Sequence, residues 1–286
     1  MPTHTSTRLA FRTSGSFLEI VNPFMDSSTF WSCYWGTHVA AIAGLAMANS
    51  AASAGLFPAV VTKLVEELSR YGKTLSTHSR FLSVPKRRFV DFYVIGTFVN
   101  TLVLCSKNGS MLWLYQIQVL RRLVESLFVT RFSSTAQMHV LHYILGISYY
   151  IAVPLTLYCI GDHSDFLKTR HCCFSVSIFL AANWIQYVCH KNLAELRPFR
   201  APAEKGVGYS MPRGYWFDFV SCPHYTAEVT IYTALAVMAR GARPVIFLAV
   251  FVAIELSLSA TTQHQWYRQK FREYPRHRRA IFPFIL

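Results

Sequence analysis

Long apolar blocks alternate along this chain with short polar segments, most of them basic. Seven blocks stand out, at residues 35–61, 89–105, 111–129, 138–160, 172–189, 217–239 and 245–260. Each approaches the roughly 20 residues that a helix needs to cross hydrocarbon. The second and seventh are short for a span. The first is rich in Gly and Ala, which lets helices approach closely. The pattern predicts an all-α, multispan membrane bundle of seven transmembrane helices. Residues 1–30 read as a separate polar segment, and residues 31–286 as the membrane domain. The start of the chain lacks the short apolar run and small-residue site of a cleaved leader. No internal repeat interrupts the series.

Composition supports this class. The chain is 52% hydrophobic and only 15% charged, where a soluble domain carries about 25% charged residues. The formal net charge of +14 would suggest nucleic acid in a soluble protein, but here the charges sit beside apolar blocks, where they set topology. The segments after the odd-numbered blocks carry most of them, including Lys63, Arg70, Lys86, Arg87, Arg88, Arg197, Arg213, Arg268 and Arg276. The positive-inside rule then places the C-terminus in the cytosol. No nucleic-acid motif is present. The cysteines number seven, lack a C-x-x-C pair and read as small apolar side chains. No metal site is expected.

Ionisable residues inside apolar blocks are costly, and they mark a site or an internal pair. The third block holds Arg121, Arg122 and Glu125, with Arg121 and Glu125 one helical turn apart. The sixth holds His224 and Glu228 at the same spacing, and the seventh holds Glu255. Each can be read as an internal pair or as part of a site. The pair His139 and His142 is a lone H-x-x-H and reads as core or interfacial. No dinucleotide fingerprint, phosphate loop, H-E-x-x-H or nucleophile elbow occurs.

Four ordered segments then become recognisable. They are Arg121-Arg122-Leu123-Val124-Glu125-Ser126-Leu127-Phe128-Val129, Gln186-Tyr187-Val188-Cys189-His190 with Leu196-Arg197, Trp216-Phe217 through Ala227-Glu228, and Trp266-Tyr267 through Pro283-Phe284. Together, over about residues 111–286, they resemble the steroid 5-alpha-reductase family. Arg70-Tyr71-Gly72-Lys73-Thr74 and Val84-Pro85-Lys86-Arg87-Arg88-Phe89 look like its polyprenol (polyprenal) reductase branch.

The resemblance implies an NADPH-dependent oxidoreductase acting on a CH–CH group. It would reduce the alpha-isoprene double bond of polyprenol or polyprenal in dolichol synthesis, in support of protein N-glycosylation. It would do so as a multi-pass protein of the endoplasmic reticulum membrane. Its partners would be membrane lipid and a long-chain isoprenoid, and the oligomeric state stays open. By position in the motifs, Arg121, Gln186, His190, Arg197, Tyr209, His224, Glu228, His264, Tyr267, Lys270 and Arg278 fall where the family holds its cofactor. The resemblance implies two catalytic positions: Glu67 falls at the family's carbonyl-side acid, and Gln118 at the second, where steroid reductases carry a Tyr. That departure argues against a steroid substrate. Polyprenal is expected over polyprenol, because an allylic alcohol has no carbonyl to absorb the charge of an added hydride. The alternatives are a trans-2-enoyl-CoA reductase, a 3-oxo-5-alpha-steroid 4-dehydrogenase, and a membrane protein without catalysis.

Overall fold

The computed structural model describes residues 27–54, 83–132, 136–161, 170–197 and 210–283. Among these residues the fold is a helical bundle. Seven α-helices follow in order: α1 Ser28–Ser53, α2 Phe89–Ser106, α3 Ser110–Val124, α4 Val140–Ile160, α5 Arg170–Glu195, α6 Pro223–Met238 and α7 Arg243–Lys270. Two short strands, β1 Ser83–Pro85 and β2 Gln137–His139, pair antiparallel and tie the chain before α2 to the chain before α4. The segments Lys86–Ser106, Val140–Ile160 and Arg243–Lys270 are long and apolar enough to cross a membrane.

Helix α3 shows how the bundle is organised. Tyr115, Gln118 and Glu125 are buried on one stripe of it, while Trp113, Ile117, Leu120, Val124, Leu127 and Phe128 are exposed on the other. Phe128 is 81% exposed, whereas Glu125 is 1% exposed. This amphipathicity is inverted relative to a soluble protein. It is stable only where the outside is lipid and the polar groups bond to each other. Phe98 on α2, and Phe174 and Trp184 on α5, face outward in the same way.

The helices pack as α5 along α6, α1 along α7, α2 along both α3 and α4, and α6 along α7. Close approach of α2 and α4 depends on two glycines. A Cβ on Gly146 would lie 2.6 Å from Phe92 Cζ, and one on Gly96 would lie 2.7 Å from Tyr150 Cδ1. Trp35, Tyr115, Phe179, Tyr232 and Leu248 are fully enclosed at the centre.

Several boundaries differ from the sequence pattern. The seventh block stops at residue 260, but α7 continues to Lys270, because nothing in the polar run after Ala260 breaks a helix. At 28 residues it is about 42 Å long, against a hydrocarbon core of about 30 Å, so its last turns stand outside the apolar layer. The sixth block begins at residue 217, but α6 begins at Pro223, since proline favours the first helical position. Tyr215–Asp218 forms a 3-10 turn instead. Helix α3 ends in a π turn over Glu125–Val129. Helix α1 begins at Ser28, earlier than the pattern suggests, and residues 55–61 of that block lie outside the described residues.

Beyond α7 the chain folds back. Val220 and Arg279 form a parallel bridge, and Ser221 and Cys222 donate their backbone N–H groups to Arg279 and Ala280. Ile281 is fully buried there, beside Cys222 and Ala260. Burying that side chain contributes about 2 kcal/mol.

Candidate active site

The inward stripe of α3 converges with one face of α5 and one of α6 in a single buried network. On α5 the residues Asn183, Gln186 and His190 recur at helical spacing. Arg121 donates through Nε to Asn183 Oδ1 at 2.9 Å, and through its two Nη atoms to Glu125 and Gln186. Arg122 donates to Glu125 and, at 2.6 Å, to the Tyr93 hydroxyl of α2. His190 Nδ1 lies 2.7 Å from Glu125 Oε2. Gln186 Nε2 donates to Glu228 and, at 3.2 Å, to the His224 carbonyl. Gln118 Nε2 donates to Glu228 Oε1 at 2.9 Å.

The network balances its charge. Two guanidinium groups face two carboxylates, and uncharged amides link the halves. Glu125, Gln118, Gln186 and Asn183 are all buried. Such charges are stable at low dielectric only when paired and fully hydrogen-bonded. One acceptor within it, Gln118 Oε1, has no hydrogen-bond partner.

A second cluster joins the end of α7 to the folded-back chain. Ser221 Oγ lies 2.6 Å from both His264 Nδ1 and the Tyr274 hydroxyl. Tyr267 stacks on Tyr274 at 5.7 Å, nearly parallel. The Arg278 guanidinium lies over the Tyr274 ring and donates to the Pro212 carbonyl at 2.9 Å. Burial pushes the Tyr274 phenol above its ordinary value, so it stays a neutral O–H at physiological pH. The His224 ring lies 5.4 Å from His190 and 6.5 Å from Phe217.

The structure therefore brings together Gln118, Arg121, Gln186, His190, His224 and Glu228, with His264 and Tyr267 in the adjoining cluster. Arg197 stands at the exposed end of α5 and donates to the Arg131 carbonyl, while Arg131 donates to the Arg197 carbonyl. This clasp holds two guanidinium groups in one place. Lys270 is exposed at the end of α7. Arg278 is 4% exposed and holds the returning chain in place. Glu67 and Tyr209 lie outside the described residues. Glu228 takes its bonds from Gln186 and Gln118, whereas the sequence spacing paired it with His224. Glu255 accepts from Ser259 at 3.2 Å. Sequence reasoning missed Tyr93, Asn183, Ser221 and Tyr274. Of these, Asn183 was detectable, since it lies one turn before Gln186 on an inward face.

The family model for 3-oxo-5-alpha-steroid 4-dehydrogenase matches residues 129–286, which is more than half of the chain. This chain belongs to the 3-oxo-5-alpha-steroid 4-dehydrogenase family. The match spans α4 to α7 and the folded-back segment, and so includes the second cluster and the α5 and α6 residues of the first, but not those of α3. Among curated proteins, the chain is 30% identical to Polyprenal reductase 1 of Arabidopsis thaliana, over 78% of this chain and 88% of that protein. It is 30% identical to Polyprenal reductase of Danio rerio, over 80% and 90%. It is 27% identical to Polyprenal reductase of Caenorhabditis elegans, over 79% and 89%. A match over 78% of the chain necessarily includes the α3 stripe.

Proposed function

We propose that this chain reduces the alpha-isoprene double bond of polyprenal, with NADPH as reductant, in the synthesis of dolichol for protein N-glycosylation. The observation that carries this reading is the likeness to polyprenal reductases of plants and animals over most of both chains. The charge-balanced network beneath a lipid-facing surface supports it: a polar head can be handled inside while an isoprenoid tail stays in lipid.

The residues present fit a dinucleotide. Arg131 and Arg197 offer clustered positive charge for phosphate. The orphaned Gln118 Oε1 suits an amide N–H, and Arg121, Gln186, His190, His224, Glu228, His264, Tyr267, Lys270 and Arg278 form or support the surround. NADPH, when bound, supplies the hydride for the β-carbon. The protein's part is to orient the head group, exclude water and hold a proton at the carbonyl side, where Glu67 is the proposed acid. A carboxyl in that role is protonated, which an apolar surround favours. The bundle lies in the endoplasmic reticulum membrane with seven spans and its C-terminus in the cytosol. Glycosylation tags placed at the C-terminus stay unmodified in microsomes under this topology.

The test is NADPH oxidation by purified, lipid-reconstituted protein with polyprenal, a 4-ene-3-oxo steroid or a trans-2-enoyl-CoA, alongside Glu67→Gln. Turnover with polyprenal, lost in the variant, supports both substrate and acid. Turnover only with another acceptor moves the substrate. No turnover and no NADPH binding refutes the enzyme reading.

A further inference from the structure

We infer that Tyr115 is a second hydrogen-bond donor to the substrate carbonyl oxygen, in addition to the proposed acid Glu67, one helical turn deeper in the bundle than Gln118. This rests on the reductase reading above. Three observations carry it, beginning with an orphaned hydroxyl. Tyr115 is 0% exposed and its hydroxyl has no hydrogen-bond partner, although leaving a buried polar group without a partner is destabilising. Neighbouring phenols avoid that cost: Tyr149 bonds to Tyr232, and Tyr93 accepts from Arg122 at 2.6 Å.

The second observation is position. Glu125, Arg122, Gln118 and Tyr115 follow one another at three- and four-residue steps on α3, so they form one stripe. Glu125 and Arg122 carry its charges, and Gln118 reaches Glu228. Tyr115 is its last polar member, and beyond it come Met111 and Leu112, both buried and apolar. The stripe thus ends at the boundary between polar network and apolar core, where an aldehyde head joined to an isoprenoid tail changes character. Glu228, Tyr93, Tyr149 and Tyr232 all lie within electrostatic reach of the Tyr115 hydroxyl.

The third is chemistry. One N–H of Gln118 is committed to Glu228, and its orphaned oxygen would repel a carbonyl oxygen. The Tyr115 O–H has no acceptor of its own and can donate without bringing an acceptor lone pair of an amide oxygen alongside the carbonyl. Hydride adds to the β-carbon, the C=C electron pair shifts to form an enolate, and negative charge grows on the oxygen that Tyr115 faces. A proton drawn from water then bonds to the α-carbon and the carbonyl re-forms. One hydride and one proton are consumed, and Tyr115 keeps its own proton. A donor aimed at developing charge in a dry site stabilises the enolate more than the substrate.

The experiment uses the full chain in lipid vesicles, with polyprenal and NADPH, and compares wild type with Tyr115→Phe. The expected result is a kcat lower by about 100-fold, the cost of removing one such donor, with NADPH affinity unchanged and a melting temperature no lower than wild type. An unchanged kcat overturns the inference. If the Phe variant does not fold, 3-fluorotyrosine at position 115 keeps the shape and makes the phenol more acidic. Its kcat then departs from wild type, and an unchanged kcat again overturns the role. Wild type that ignores polyprenal but reduces another conjugated carbonyl refutes only the substrate reading, and the same comparison is then made with that acceptor. Wild type that reduces no conjugated carbonyl overturns both.

Discussion

Replacing Glu125 by Gln keeps the shape of the side chain and removes one negative charge. Glu125 is 1% exposed and accepts from Arg121 and Arg122, with His190 Nδ1 at 2.7 Å. In the variant, two guanidinium groups face Glu228 alone. Breaking a buried ion pair by removing one partner costs about 3–5 kcal/mol. In a chain of this size each kcal/mol moves the melting temperature by roughly 2–4 °C, so the expected fall is roughly 6–20 °C. The control is Arg88→Gln, which removes a 3.4 Å pair with Asp91 whose Arg88 side chain is 61% exposed. Such a surface pair is worth about 0–1 kcal/mol. Thermal unfolding in detergent, followed by retention of monodisperse protein, measures both. The double variant Glu125→Gln with Arg122→Gln restores one cation to one anion and melts above the single variant. Equal melting of Glu125→Gln and Arg88→Gln would refute the claim that charge balance holds α3 against α5.

Two further outcomes test the packing and the returning chain. Gly146→Ala places a Cβ 2.6 Å from Phe92 Cζ. It lowers stability by about 1–3 kcal/mol through overpacking, while Gly44→Ala, which meets nothing within 4 Å, leaves the melting curve in place. Arg278→Ala removes the bonds to Pro212 and Asp218 and the stacking on Tyr274. The segment after Lys270 then becomes accessible to trypsin in limited proteolysis, while the α2–α4 core stays resistant.

The sequence made the helices legible because apolar blocks near the length of a span have few other solutions. It also exposed the Arg121–Glu125 pair, since an i,i+4 ion pair inside an apolar block has nowhere to go but inward. What it hid was set by tertiary contact. Glu228 bonds to Gln186 and Gln118 from two other helices, and no spacing within α6 announces partners that lie 42 and 110 residues away. Arg278 read as a cofactor contact in a basic run, yet the returning chain encloses it beside Pro212 and Tyr274. Where α7 stops was also illegible, because the end of an apolar block is not the end of a helix that can continue into water.

The inverted face of α3 bears on how the bundle is assembled. A helix with Arg121, Arg122 and Glu125 partitions poorly into lipid by itself. Only the three residues 107–109 separate it from α2, and Asn100 of α2 donates to Gln116 of α3 at 2.6 Å and to the Leu112 carbonyl at 3.0 Å. The two helices therefore enter the bilayer as one hairpin. Within it Glu125 can pair with Arg121 and Arg122, and Arg122 with Tyr93, but the stripe stays incomplete until α5 delivers Gln186 and His190 and α6 delivers Glu228, both made later. During that interval α3 belongs to the insertion machinery and its quality control. Substitutions that delay α5 or α6 lower the amount of protein in the cell before they alter any rate.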